Sequence, residues 1–221
     1  GNSGGDFIEK GNIRPILSFI GDQIFEGRFS NSLRLGSTSP SQGSVANNWS
    51  TTGEIGSPIT ILRNGQPKDL GEPGWLPVTE NINTDLSSIY LTSTQQIPID
   101  VSVSSSTTGG GATVPFSNVI KETPQSPKSY NQQQIILNSG RLIFNTNVDS
   151  ILMSSQKSIA MESVEGLGIK SLEGNVNLLS PKGIVSLGRQ NATESLVLGD
   201  TFITQFSSLL ENLDILSVSY T

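Results

Sequence analysis

An eight-residue repeat between positions 134 and 190 constrains this chain more than any other feature of its sequence. The segment divides into seven consecutive blocks: QIILNSGR, LIFNTNVD, SILMSSQK, SIAMESVE, GLGIKSLEG, NVNLLSPK and GIVSLGRQ. The second residue of every block is aliphatic, and the residue two places later is apolar in five of the seven. Asn145 and Ser186 interrupt the second column, and the fifth block has one extra residue. The first column comprises Ile135, Ile143, Ile151, Ile159, Leu167, Val176 and Ile184, and the second comprises Leu137, Met153, Met161, Ile169 and Leu178.

This period is typical of short β-strands. Residues i and i+2 of a strand point to the same face, so each block offers two inward side chains and then a turn of Ser, Gly, Asn, Lys or Glu. Eight residues are too few for a helical repeat. One block cannot bury its apolar face alone, so it must stack on others, within one chain or between chains.

Two stacked architectures fit the repeat. A single-chain β-solenoid usually has longer coils, because one chain must surround the core. An octad instead spans one side of a triangular prism, roughly 17 Å, and three intertwined chains would each climb about 4.8 Å per octad to build a shaft of roughly 34 Å. We favour the three-chain prism, because every strand is then paired except at the two ends. An ordinary meander with accidental periodicity is the remaining alternative.

The three-chain prism assigns the twelve column residues to a shared trimer core. It also interprets Met153 and Met161 as packing residues rather than ligands, because both lie in phase with the aliphatic positions.

The first hundred residues indicate a separate β-domain. Charged residues make up only 14% of the chain, and Ser, Thr, Asn, Gln and Gly are abundant, which favours short strands joined by turns. In 13–38, Ile24, Glu26 and Arg28 alternate with Phe25, Gly27 and Phe29, and the turn pairs Gly21-Asp22 and Ser30-Asn31 interrupt two or three antiparallel strands. Further strands are predicted in 57–66, which ends in the hairpin signal Asn64-Gly65, and in 87–100. Five or so short strands suggest a small β-barrel, with an immunoglobulin-like sandwich as the alternative.

The predicted organisation is therefore all-β apart from one short helix. It comprises an N-terminal linker (1–12), a small β-barrel (13–100), a Gly- and Pro-containing linker (101–131), the octad shaft (132–199) and a C-terminal amphipathic helix with its tail (200–221). The helix prediction rests on three-four spacing of apolar residues, with Asp200 or Thr201 placed to cap its start. Its apolar positions are Phe202, Ile203, Phe206, Leu209, Leu210, Leu213 and Leu216.

Several function classes are excluded or disfavoured. The chain has no Cys and no His, so disulfides, thiolate nucleophiles, Ser-His-Asp triads and imidazole metal sites are ruled out. A net charge of −6 without a basic cluster argues against nucleic acid as a partner. The sequence shows neither an apolar run long enough to span a membrane nor a signal peptide. We predict no cofactor, no metal and no enzymatic activity.

Individual residues leave two chemical functions open, a carboxylate glycosidase and a ligand-binding module. Asp22 and Glu26 share a strand face and form the nearest close carboxylate pair in the barrel region, which a glycosidase needs, although both are expected to decorate a solvated turn and strand. Trp49, Trp75 and Tyr90 offer stacking faces for a glycan or an oligonucleotide. Burial of Trp49 and Trp75 against a neighbouring subunit is the competing interpretation.

The order of these segments resembles a known family. "IFEGRFSNSLRLGST", "SPITILRNGQ" and "SSIYLTSTQQI", followed by the octads and "SLGRQNATESLVLGDTF", resemble the central hub-spike proteins of contractile phage tails. Within that family the chain is similar to the baseplate spikes of T-even-related myophages and to the VgrG spikes of type VI secretion. The resemblance covers nearly the whole chain from about residue 13.

The resemblance implies an oligonucleotide/oligosaccharide-binding (OB) barrel at the base and a trimeric intertwined β-helix as the needle. It further implies a homotrimer in the virion that contacts tail-tube and hub proteins at the barrel end and a tip protein at the C-terminal end. Such a protein is made in the host cytoplasm, acts at the host cell envelope and crosses the outer membrane mechanically when the sheath contracts. The chain departs from the family in lacking a lysozyme domain at the position of the 101–131 linker, and without His it cannot form a histidine-bound iron tip.

Overall fold

The fold is mostly β in the residues that the structure, a computed structural model, describes: 13–39, 49, 52–66, 76–101, 124–183, 185 and 199–218. One five-stranded antiparallel sheet has the strand order β1-β2-β3-β4-β5, so each strand pairs with its neighbour in sequence. A helix, α1, lies near the end of the described residues. The elements are β1 (Gln23–Glu26), β2 (Asn31–Ser37), β3 (Pro58–Asn64), β4 (Ser87–Thr92), β5 (Gln134–Ser139) and α1 (Gly199–Val218).

The hairpin of β1 and β2 follows the turn signals of the sequence. Asp22 ends a turn in which its N–H donates to the carbonyl of Phe19 at 3.1 Å. Gly21 adopts a positive φ of 90°, which a glycine reaches without steric cost. At the other end of the hairpin, Ser30 has φ 66°. The predicted strands and both predicted turns in 13–38 are therefore confirmed.

The predicted strand at 57–66 is confirmed as β3, but the hairpin signal that follows it was misleading. Gly65 has a positive φ of 82° and its N–H donates to the carbonyl of Ser30 at 3.0 Å. The next strand of the sheet among the described residues is β4, which pairs with β3 from Ser87 onward. The turn thus ends a strand without starting the next one, because Gly65 bonds to the loop before β2.

The fifth strand comes from an unexpected part of the sequence. Four strands lie within 13–100, and the fifth, β5, is the first octad, which pairs with β4 from Ser87↔Ser139 to Thr92↔Gln134. The predicted linker therefore connects two adjacent strands of one sheet. Of this linker, 102–123 lies outside the described residues, as does the predicted N-terminal linker 1–12. As described, the sheet is open, with β1 and β5 at its edges.

One face of the sheet, called here the inner face, covers the core. Its central row runs Ile24–Arg34–Ile61–Tyr90–Ile136 across the five strands. A cluster of buried apolar side chains packs on this row, and Ile136 and Leu17 pack against its rim. The buried members of the cluster are Phe19, Trp49, Ile59, Ile61, Ile82, Tyr90 and Ile97.

The opposite side, called here the outer face, carries two largely apolar rows that are exposed or half-buried. Both rows follow directly from the strand register. Since successive side chains of a strand alternate between faces, the same register that puts Arg34 inside puts its two leucine neighbours outside. The rows are Phe25–Leu33–Leu62–Ile89–Leu137 and Gln23–Leu35–Thr60–Leu91–Ile135.

The chain divides into two compact units, Gly1–Glu165 and Gly166–Thr221. The sheet belongs to the first unit and α1 to the second. The division falls between the fourth and the fifth octads, inside the predicted shaft. The predicted C-terminal helix is present as α1. It begins one residue earlier than expected, at Gly199, so that Asp200 lies in its first turn rather than in front of it.

Candidate oligomer interface

The backbone of the octad segment repeats with the period of the sequence. Residues 141–183 are assigned neither helix nor strand, and bends or turns lie at 147–149, 156–157, 164–165, 172–174 and 181–183. Every one of these bends includes the seventh and eighth positions of an octad. The intervening stretches hold the second and fourth positions, where the two apolar columns lie. The local geometry therefore has the same phase as the sequence pattern.

Hydroxyl side chains late in the blocks hold several of these bends. Asp149 donates its N–H to Thr146 Oγ1 at 3.2 Å, Lys157 to Ser155 Oγ at 3.3 Å and Gly174 to Ser171 Oγ at 3.1 Å. Ser and Thr hydroxyls commonly accept a backbone N–H two or three residues ahead in turns. The Ser and Thr residues of the octads thus have a local role at three of the five bends, where a hydroxyl accepts a backbone N–H.

The column residues that the structure describes are all exposed. Their exposed fractions range from 43% for Leu137 to 75% for Ile143. Ile184 lies outside the described residues. In the second column, Asn145 donates to Asn147 Oδ1 at 3.0 Å, which gives this interruption a local polar partner. Exposed apolar residues on this scale exceed what monomeric proteins usually present to water, so the columns need a covering surface.

The exposed apolar residues are not confined to the two columns. A further set occupies other octad positions, with exposed fractions from 45% for Val185 to 98% for Val148. Sequence analysis did not assign them to the core. They are Leu142, Phe144, Val148, Leu152, Val164, Leu172, Leu179 and Val185.

The apolar stripe of α1 is also uncovered. Phe202 and Phe206 stack on each other with ring centroids 5.7 Å apart, and both are about half exposed. Leu209, Leu210 and Leu213 are exposed to a similar degree. Nothing is described for the side chains of the other two predicted stripe residues. At three-four spacing these residues lie on one side of the helix, and they form a second exposed apolar surface that could associate with a partner.

The sheet domain contains a buried ionic cluster, which sequence analysis missed. Arg34 lies on the inner face and forms ion pairs with Asp22 and, at 2.8 Å, with Glu80, all three side chains being fully buried. Its Nη2 donates to the carbonyl of Leu17 at 2.7 Å. The guanidinium carbon also lies 5.1 Å from the ring centroid of Trp49. Arg34 is therefore a central packing residue of the domain.

The predicted carboxylate pair, Asp22 and Glu26, is held in place by structural contacts, and Asp22 belongs to the Arg34 cluster. Asp22 is not a solvated turn residue as expected, because its carboxylate accepts from Arg34 and from the N–H of Phe19 at 2.8 Å. Glu26 accepts the N–H of Ile16 at 2.5 Å. Both carboxylates therefore have structural partners, which explains their positions without a catalytic role.

A second buried pair joins Arg63 and Asp85 at 3.6 Å. Burial raises the pKa of Asp85 to about 6, and the nearby Arg63 guanidinium opposes this rise. Burial, followed by the Asp85 carboxylate, also raises the pKa of the Tyr90 phenol well above its ordinary value. Asp85 Oδ2 accepts the N–H of Asn81 at 2.9 Å, which closes the short turn before β4.

The three aromatic candidates for ligand stacking are placed as follows. Trp49 is buried in the core and meets Phe19 edge-to-face at 5.6 Å, so its own domain covers it rather than a neighbouring subunit. Tyr90 is buried beside it on the inner face. Trp75 lies outside the described residues.

A cavity of about 360 Å³ borders Trp49, Glu80 and Tyr90. Trp49 Nε1, Glu80 Oε2 and the Tyr90 hydroxyl have no hydrogen-bond partner. Within the described part of the chain, no three Asp or Glu side chains come together as a metal site would require. There is also no described helix with the length and hydropathy of a membrane span.

Comparison with known proteins adds no relative. The chain matches no protein-family model, no curated protein sequence and no solved structure. The function therefore has to be argued from the repeat, the exposed columns and the sheet.

Proposed function

We propose that this chain is a structural protein, the homotrimeric central spike of a contractile phage tail baseplate. In this proposal the N-terminal sheet belongs to an OB-like barrel that caps the tail tube, and the octads of three chains wind into an intertwined β-helix. Sheath contraction drives this needle through the host outer membrane. The protein is part of the virion, has no enzymatic activity, and contacts tube and hub proteins at one end and a tip protein at the other.

The phased apolar columns of the octads, which the chain does not bury by itself, carry the proposal. In a single-chain solenoid, successive coils of one chain pair as parallel strands and cover their own apolar columns. Residues 141–183 form no strand, and their column residues stay exposed. A backbone without helix or strand pairing needs other partners for its N–H and C=O groups. Two further copies of the same repeat supply both the hydrogen bonds and the apolar cover.

The proposal predicts that the needle forms only as an oligomer. The isolated segment buries too little apolar surface to offset the entropy of ordering it, so its folding and its association are one event. The protein should have a mass of three times 23.5 kDa by light scattering.

The test replaces one column residue by a charge. Ile151→Asp places three carboxylates at one level of the shared core, and because buried unpaired charges are costly, we expect loss of the trimer. Ser154→Asp is the matched control: it adds the same charge in the same octad at an exposed non-column position. Light scattering and thermal unfolding report the outcome. If Ile151→Asp stays trimeric and as heat-stable as Ser154→Asp, the shared core is wrong.

Glycan binding is the second candidate function, and the cavity beside Trp49, Glu80 and Tyr90 is the observation that favours it. Its lining combines an indole, a carboxylate and a phenol, which are kinds of group that contact sugars, and the exposed Asn83 and Lys128 border the same cavity. Peptidoglycan hydrolysis, the related alternative, has less support because Asp22 and Glu26 already have partners. Titration with peptidoglycan fragments, followed by tryptophan emission, separates this candidate from a mechanical spike. A clearing assay on peptidoglycan separates hydrolysis from binding.

A further inference from the structure

The outer face of the five-stranded sheet has the opposite character from the solvent side of an ordinary antiparallel sheet. Such a sheet normally buries its apolar side and exposes its polar side. Here eight of the ten positions in the two rows through Leu62 and Thr60 are apolar, and the two polar ones, Gln23 and Thr60, are uncharged. A further row on this face is polar and also uncharged: Asn31–Asn64–Ser87–Ser139. The charged residues Arg34 and Arg63 lie on the inner face. This distribution suits a sheet that is covered on both sides.

The outer face is continuous across all five strands. The complete row from Phe25 to Leu137 crosses four strand-to-strand spacings, roughly 19 Å at the usual distance between strands. Its central member, Leu62, is 49% exposed, and Phe25 at the β1 edge is more exposed still. A groove of about 700 Å³ lies over this row and the neighbouring polar row and extends to Leu142 beyond β5. Its lining also includes three charged residues, Glu26, Arg63 and Arg141. The groove is large enough to receive several side chains.

The outer face joins the octad columns at β5. Ile135 and Leu137 are the second and fourth residues of the first octad and also the last members of the two outer rows. Ile136, between them, points the other way and packs at the rim of the core. The positions that form the proposed trimer core in the shaft are therefore the positions that face outward from the sheet.

This continuity identifies the occupant of the groove. If the columns of octads two to seven face two other copies of the chain, then the same positions in octad one face those copies too. The four strands beside β5 present their apolar residues to the same side. The two apolar rows carry no charge, so they offer no complementarity to an acidic or basic partner, whereas they match the apolar columns and rows of a second copy.

We propose that the outer face is a subunit interface, covered by a neighbouring copy of this chain. This inference rests on the proposed trimer and extends it: the sheet domains associate through β1–β5 rather than being carried passively on the shaft. The interface then runs without interruption from Phe25 through Leu62 to the octad columns.

The absence of Cys from the chain makes the test clean. Leu62→Cys in the full chain puts one thiol at the centre of the outer face, and its reaction with a maleimide is timed. Ile55→Cys is the matched control, because Ile55 is 75% exposed in the loop before β3 and lies off the outer face. Both variants are made in the wild-type chain and in the Ile151→Asp background. Light scattering on every sample records whether it is trimeric.

We expect the Leu62→Cys thiol to react at least ~10-fold more slowly than that of Ile55→Cys in the trimer, and at a similar rate in the Ile151→Asp background, because covering a thiol limits its reactivity. Equal rates in a sample that is trimeric would overturn the interface and leave the spike intact. Slow reaction of Leu62→Cys in a monomeric sample would also overturn it, because the chain would then cover its own sheet. A wild-type protein that is monomeric would overturn the spike and the interface together.

Discussion

The buried cluster around Arg34 offers a direct test of how this sheet domain is held together. The perturbation is Arg34→Met, which keeps much of the side-chain length and removes the charge. It leaves the fully buried carboxylates of Asp22 and Glu80 without their counter-ion. It also removes the hydrogen bond to the carbonyl of Leu17 and the contact with Trp49.

The structure sets the expected magnitude. Breaking a buried ion pair by removing one partner costs about 3–5 kcal/mol, because an uncompensated charge stays buried. Here one guanidinium serves two carboxylates, and Asp22 Oδ1 and Glu80 Oε2 already have no hydrogen-bond partner. We therefore expect Arg34→Met to lose at least about 3 kcal/mol, a large part of the 5–15 kcal/mol that stabilises a typical domain.

Urea unfolding followed by tryptophan emission measures the loss, since Trp49 lies against Arg34. All variants are compared at one protomer concentration, because association contributes to apparent stability. Arg141→Met is the control: Arg141 is exposed, and its loss should change stability by no more than about 0.5 kcal/mol.

A triple variant, Arg34→Met with Asp22→Asn and Glu80→Gln, identifies the cause. If unpaired carboxylates cause the loss, neutralising them should recover about 1–3 kcal/mol, the usual size of coupling between contacting groups. The charge argument is refuted if Arg34→Met unfolds at the same urea concentration as Arg141→Met. It is also refuted if the triple variant is no more stable than Arg34→Met, because packing would then explain the loss.

Two further perturbations probe the same domain. Because burial holds the pKa of Asp85 at about 6 instead of 3.8, the folded state favours the protonated carboxyl, so stability from this group is lost as pH rises through that window. Between pH 3.8 and about 6 the free energy of unfolding of wild type should thus fall by about 3 kcal/mol relative to that of Asp85→Asn, at 1.36 kcal/mol per pKa unit. Urea titrations at several pH values measure this difference, and a difference that does not change with pH contradicts the prediction. Gly53→Ala should cost about 1–3 kcal/mol, because Gly53 has φ +87° and a Cβ there would lie 2.7 Å from the carbonyl oxygen of Thr94. Gly140→Ala, with no atom within 4 Å, is its control, and equal urea midpoints for the two would show that Gly53 is not strained.

The local elements of this chain could be predicted because they depend on short-range rules. Alternation and turn residues located β1 to β4, and three-four spacing located α1. The octad phase also predicts where the backbone bends, since Ser and Thr hydroxyls there bond N–H groups two or three residues away. Each of these features requires only information within about ten residues.

The pairing of strands that lie far apart in the sequence was harder to predict. The Asn64-Gly65 signal suggested a hairpin, but Gly65 bonds to Ser30 instead, and β4 begins only at Ser87. The fifth strand was sought before residue 100, whereas the first octad provides it. Which strand pairs with which depends on the strand edges that the rest of the folded sheet leaves unpaired, and the sequence of one strand does not contain that information.

The sequence by itself determined the period of the repeat, the apolar columns, and the absence of Cys and His chemistry. It could not decide which face of the sheet would be buried. In β2, alternation alone would bury Leu33 and Leu35, yet the structure buries Arg34 between them. The reason is physical: a buried guanidinium is tolerated only when opposite charges reach it, and Asp22 and Glu80 arrive from other parts of the chain. Only the tertiary structure brings these groups together, and by doing so it turns the leucines outward.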